Sequence, residues 1–292
     1  MKDKYLRTYL LWAFALAWAL QIAAARFARQ GQTAVYQLLM IAVMYTPFAA
    51  VLLAKIPLRG MGWNPRLKGK IPWVFAAWFA PAVLGLLGAA LYFALFPSRL
   101  DLSGAYLAAQ LGDAGMEQLA KAGMDIRTYI LVQSMAAVTW APWLNMLAAL
   151  GEEVGWRGTL YPRLKERFGA SKGRLLGGLI WGAWHWPVML LAGYEYGLHY
   201  WGAPILGPLL FCLFSVSAGT LIDFLYEKTA CIWIPSLAHG AINAFCGVPS
   251  LVLNPAFADR STVGPQMIGI LGGLPLLLLA AWLLLRPASR RG

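Results

Sequence analysis

Eight stretches of roughly 20 apolar residues follow one another along this chain, and they limit its fold more than any other feature. They lie at about 8–25, 33–54, 72–96, 129–150, 175–193, 203–222, 231–247 and 265–285. At ~1.5 Å of rise per residue, such a run crosses the ~30 Å hydrocarbon core of a bilayer as one helix. The expected fold is therefore all-α: a polytopic membrane protein of about eight transmembrane helices. Composition agrees. Of 292 residues, 60% are hydrophobic and 12% charged, against ~25% charged in soluble domains. That argues against a soluble enzyme and against a disordered or collagen-like chain. Cys212, Cys231 and Cys246 are far apart, in apolar stretches, with no C-x-x-C pair. A disulfide scaffold or zinc ribbon is excluded.

The net charge of +12 would suggest nucleic acid in a soluble protein. Here its distribution points to topology instead, and no nucleic-acid partner is expected. Of the 24 Lys and Arg, 18 lie at the N-terminus, in the connections after spans two, four and six, and at the C-terminus. The other six lie on the opposite side if spans alternate. The positive-inside rule then puts both termini in the cytoplasm, in a pattern that suits a bacterial inner membrane. Lys2–Arg7 followed by an apolar run resembles a signal peptide, with Ala23-Ala24-Ala25 as a cleavage site. An uncleaved span is preferred, because the run is long and contains Trp12 and Trp18. The polar connection 97–128 faces outward and is expected to hold a short amphipathic helix between Ser103 and Gly123. No internal repeat or separate soluble domain is visible. Residues 1–292 read as one integral-membrane domain with a motif-bearing core at about 129–247.

Ionisable side chains inside a bilayer are costly and mark functional sites. The chain has just 12 acidic residues and 3 histidines. Glu152 and Glu153 are adjacent, at the cytoplasmic end of span four. His185 ends Trp181-Gly182-Ala183-Trp184-His185 in span five, and His239 opens His239-Gly240-Ala241-Ile242-Asn243 in span seven. Glu153 and Arg157 are four residues apart and share a helix face, so they can pair. His239 and Asn243 have the same spacing. Glu152 lies ~100° round the helix from Glu153 and is free to face a cavity. An unpaired carboxylate in such a place suits general-base work. His199, with Tyr194 and Glu195, falls in the outward connection after span five and reads as interfacial or solvated. Asp223 and Glu227, beside Lys228, read as a solvated helix end.

Glu152-Glu153-Val154-Gly155-Trp156-Arg157 resembles the E-E-x-x-x-R signature of the CPBP family, the CAAX proteases and bacteriocin-processing enzymes also called Abi proteins. Trp181-x-x-x-His185 resembles its F-x-x-x-H motif, with Trp where the family usually has Phe. His239-x-x-x-Asn243 resembles its last motif. The three occur in the family's order, each on its own span, within about 150–245. The resemblance implies an intramembrane endopeptidase acting on a membrane-associated peptide or protein near the cytoplasmic face. Glu152 and His185 would activate a water molecule, and His239 and Asn243 would stabilise the tetrahedral oxyanion. Glu153, Arg157 and Trp181 would support them.

A zinc version of the same activity would use Glu152, His185 and His239 as ligands. The metal-free version is favoured, because ligation would leave Asn243 alone as oxyanion donor and there is no H-E-x-x-H helix. No cofactor is then expected. The G-x-S-G and G-x-G-D signatures of other intramembrane proteases are absent. A proton-coupled transporter and a non-enzymatic immunity partner are the competing classes. Against transport, the halves show no repeat, and the ionisable residues gather on one side of the bilayer.

Overall fold

The computed structural model describes residues 2–286; Arg290 and Arg291, counted above in the C-terminal basic group, lie outside it. The described residues form thirteen α-helices and no β-strand. They are α1 (Lys2–Arg29), α2 (Thr33–Met44), α3 (Thr46–Leu53), α4 (Ile71–Leu95), α5 (Ala105–Lys121), α6 (Ile126–Val138) and α7 (Ala141–Gly155). Then come α8 (Tyr161–Phe168), α9 (Ala170–Trp184), α10 (Trp186–Ala192), α11 (Leu206–Thr229), α12 (Trp233–Phe245) and α13 (Leu274–Leu285). The protein is an all-α integral membrane protein. Its outer surface carries leucines such as Leu11, Leu38, Leu144, Leu209 and Leu278, each more than half exposed. An apolar coat of that density belongs against lipid, not water.

Four helical segments are long and apolar enough to cross a bilayer alone: Lys4–Arg29, Ile71–Leu95, Ala170–Ala192 and Leu206–Thr229. Two bent pairs, α2 with α3 and α6 with the helix from Ala141 to Phe168, raise the number to six. The last two predicted segments are shorter than expected: α12 has 13 residues and α13 has 12. At ~1.5 Å per residue, neither alone spans the hydrocarbon core. The polar connection 97–128 does hold a helix, α5, kinked at Gly112 where φ is +62°. Asp125 caps α6, accepting from the backbone N–H groups of Thr128 and Arg127 and from the Thr128 hydroxyl. These bonds hold its carboxyl below the ordinary value.

Prolines explain both bends. Pro47 and Pro142 lack an N–H, so the carbonyls four residues earlier lose their helical donor. Both carbonyls are taken up elsewhere. The Thr46 hydroxyl donates to Val43 at 2.9 Å, and the Trp78 indole donates to Val138 at 2.7 Å. The bends are 41° and 53°. A third break falls at His185, between α9 and α10, just before Pro187.

The core is assembled around α12, which packs on α7, α4 and α11, while α9 packs along α11. All but three of its residues are buried. Gly240 makes that position possible. A β-carbon there would stand 2.5 Å from the backbone nitrogen of Met146 and 2.6 Å from the carbonyl oxygen of Pro142. Gly240→Ala must push α12 off α7, and overpacking of this kind costs about 1–3 kcal/mol. The expected result is a lower unfolding temperature in detergent, with wild-type stability as the contrary outcome.

The helix from α7 runs on into α8 through a π-helical turn at Trp156–Leu160. Arg157 is therefore not in a connection, as the span boundaries implied, but fully buried. Arg174, also placed in that connection, is buried near the start of α9. The reading of Asp223 and Glu227 as a solvated helix end is also corrected. Asp223 is fully buried, and its carboxylate accepts from Lys165 at 2.7 and 2.8 Å and from Arg174 at 2.7 Å. Glu227 accepts from the same two cations at 2.7 Å. Two carboxylates on α11 thus clamp α8 and α9, because each buried cation needs a partner.

Candidate active site

Glu152 and Glu153 end α7 side by side, both buried, and face different surroundings. Glu153 Oε1 accepts from Arg157 Nη1 at 2.9 Å, so the pairing read from the four-residue spacing is present. The same oxygen lies 2.7 Å from His239 Nδ1. The Arg157 guanidinium is sandwiched between rings, 4.7 Å from the Tyr161 centroid and 4.8 Å from that of Trp181. Those faces attract a cation while keeping water away from it.

No cation pairs with Glu152 among the described residues. Its Oε2 accepts two indole N–H groups, from Trp181 at 2.8 Å and from Trp156 at 3.1 Å. The helical turn puts Trp156 four residues after Glu152, on the same face. Trp181 reaches across from α9, one turn before the break at His185.

His185 is buried among Trp184, Phe211 and Tyr194. Its Nδ1 lies 3.0 Å from the Trp181 carbonyl oxygen. A carbonyl only accepts, so Nδ1 carries the proton and Nε2 of the neutral ring presents a lone pair. His239 projects from α12, with its ring edge-on to Trp181 at 5.1 Å. Asn243 lies one turn further along the same face.

These residues meet at one cavity of about 210 Å³. Glu152, His185, His239 and Asn243 all line it, with Trp181 and Trp184 beside them. Glu153 and Arg157 are not among its lining residues; they stand behind it. So the structure brings all seven sequence-predicted residues into one neighbourhood, five of them on the cavity wall. Met40 and Met44 of α2 and Phe211 and Phe214 of α11 form apolar parts of that wall.

Sequence reasoning missed part of the site. The motif marks Trp181 only as a supporting residue, and its N–H bond to Glu152 is visible in the structure alone. Trp156 had no assigned role, although its spacing from Glu152 matches that of Arg157 from Glu153. Tyr194 and Glu195 were read with His199 as interfacial residues, yet both line the cavity. His199 itself is exposed. Nothing local marks Glu195, because the fold of the connection after α10 turns it inward.

A zinc ion on Glu152, His185 and His239 would be held through Glu152 Oε1 and the two Nε2 atoms. Glu152 Oε2 accepts two indoles and both imidazoles bond a neighbour through Nδ1, which leaves those other atoms open. Among the described residues, no three His, Cys, Asp or Glu side chains converge as a ligand set. No step below is routed through a metal.

The comparisons point the same way as the motifs. The family model described as "Type II CAAX prenyl endopeptidase Rce1-like" matches residues 134–245. That interval runs from α6 to the end of α12 and contains every motif residue named above. A 54-residue segment is 39% identical to a protein named CAAX prenyl protease 2 from Methanococcus maripaludis. It covers 18% of this chain and 20% of that relative, so the chain spans about a fifth of the relative's length in the match. With the E-E-x-x-x-R turn, the histidine at the break of α9 and the His–Asn pair of α12 all in place, this segment is similar to the CPBP/CAAX protease family.

Proposed function

We propose that this protein is an intramembrane endopeptidase that hydrolyses a peptide bond with a water activated by Glu152 and His185. One observation carries the reading. A carboxylate without a cationic partner, two imidazoles and a carboxamide, from three separate helices, line a single small cavity. Charged groups are costly at such a place unless they serve chemistry. Glue between helices would leave these groups bonded to one another, whereas Glu152 keeps one oxygen and His185 one ring nitrogen for the cavity.

The roles follow from the bonds each group already makes. Glu152 Oε1 takes a proton from water while the water oxygen attacks the substrate carbonyl carbon. His185 Nε2 accepts a hydrogen bond from the same water and orients it. The oxyanion that forms needs donors. Asn243 offers its side-chain N–H groups. His239 offers Nε2–H when both its ring nitrogens are protonated, with Nδ1–H held on Glu153. The proton on Glu152 then passes to the departing amine nitrogen as the C–N bond breaks. Apolar walls exclude bulk water and so strengthen each of these interactions.

The substrate class is a peptide or protein held at the bilayer. The excess of Lys and Arg on one side supports a site that opens toward the cytoplasm, in a bacterial inner membrane. The test is a comparison of peptide termini in membranes expressing wild type or Glu152→Gln at equal abundance. New termini confined to wild type would establish cleavage and name the bond. Identical termini, with both proteins folded, would defeat the reading. Asn243→Ala should lower kcat by about 10²-fold with little change in KM, as loss of an oxyanion donor does. A variant in which KM alone rises would make Asn243 a substrate-binding residue instead.

A further inference from the structure

Trp181 stands at the aromatic position of the F-x-x-x-H pattern, and it meets Glu152, His185, Arg157 and His239. Its indole N–H donates to Glu152 at 2.8 Å. Its carbonyl accepts from His185 at 3.0 Å. One face of its ring carries the Arg157 guanidinium, and the ring crosses that of His239 at 72°. A phenylalanine would keep the ring contacts and the carbonyl. It would lose only the N–H, and so the bond to Glu152.

That bond has a companion. The Trp156 indole donates to the same oxygen, Oε2, at 3.1 Å. Two donors on one carboxylate oxygen do two things. They fix the plane of the carboxyl group, so that the other oxygen is directed by the protein, not by rotation about the last side-chain bond. They also stabilise negative charge without supplying a positive one. An indole N–H is a donor only. It can neither take a proton from Glu152 nor compete with it for the water's proton. A cation in the same place would weaken the base further. That is the situation of Glu153, whose Oε1 is bound by Arg157 and which stands off the cavity. The rings to which the donors belong are buried and apolar, so they hold the charge without opening a path for solvent.

We infer that Trp156 and Trp181 form a two-indole clamp on Oε2 of Glu152, positioning Oε1 for the water and keeping the carboxylate charged in an apolar cavity. Both are positioning residues, acting through Glu152. The inference rests on the protease reading for its kinetic part, and not for its structural part.

Two measurements test it. The first needs no activity. With indole nitrogens labelled with ¹⁵N, the N–H resonances of Trp156 and Trp181 should both move when Glu152 is replaced by alanine. That of Trp78, whose N–H is on the Val138 carbonyl, should not. If the two resonances stay in place, the clamp does not exist. The second is kinetic. Trp181→Phe and Trp156→Phe should each lower kcat about 10-fold, the loss expected for one hydrogen bond to a charged group. KM should stay within about 2-fold, and Trp78→Phe should change neither constant. Wild-type kcat in Trp181→Phe would overturn the clamp as a positioning device. A chain that cleaves nothing while both indole resonances respond to Glu152→Ala would remove the protease reading and leave the clamp standing.

Discussion

Glu152→Gln should reduce kcat by a factor on the order of 10³, the contribution of a positioned general base, while the protein stays folded. The glutamine keeps a side-chain oxygen for the Trp156 and Trp181 donors, so packing around it is preserved. It cannot take a proton from water. His185→Ala should fall by a similar factor, because the ring nitrogen that orients the water is removed. The neighbouring carboxylate should behave in the opposite way. Glu153 and Arg157 are both fully buried and bonded at 2.9 Å. Removing Glu153 strands Arg157, and removing Arg157 leaves the buried Glu153 with His239 alone; breaking such a buried pair costs about 3–5 kcal/mol. Glu153→Ala and Arg157→Ala should therefore give poor yields and low unfolding temperatures before activity is even measured. Parallel thermal unfolding and turnover assays of the four variants check this. Equal loss of stability in Glu152→Gln and Glu153→Ala would refute the division of labour between the adjacent glutamates.

Asp223→Ala should be among the most destabilising single changes in the contact of α11 with α8 and α9. The substitution leaves Lys165 and Arg174 with Glu227 alone, and both cations are largely buried, with side chains 13% and 7% exposed. A cost of about 3–5 kcal/mol is expected, read as a lower denaturation midpoint in detergent. Glu227→Ala should cost clearly less, because Glu227 is partly solvated and Asp223 can still serve both cations. Asp223→Ala with wild-type stability would restore the solvated-end picture. The loss should be one of stability, with turnover per folded molecule near wild type, since none of these groups lines the catalytic cavity.

Much of this protein could be read along the chain, because local rules govern those parts. Apolar runs mark membrane helices by length alone. The spacing of four between Glu153 and Arg157, and between His239 and Asn243, fixes shared faces through the helical repeat. The order of three short motifs sufficed to expose the resemblance to the CPBP/CAAX proteases. The same local logic, applied to Trp156, would have found its bond to Glu152.

Other features depend on contacts that sequence separation hides. Asp223 is 58 residues from Lys165 and 49 from Arg174. In the chain it sits beside Lys228, which suggested water. In the fold, α11 turns that face toward α8 and α9. Trp181 is 29 residues from Glu152, and His239 is 86 from Glu153. Whether they meet depends on how closely α12 lies on α7, which Gly240 permits, and on the bends of 41° and 53° at the prolines. The chain by itself therefore determined the membrane setting, the family resemblance and the residue types of the candidate site. The tertiary structure decided which carboxylate is held by cations, which by indoles, and which acid in a connecting segment reaches the cavity. The reason is physical: a residue's type and spacing are properties of one helix, while its partners are set by the angle and distance at which a second helix arrives.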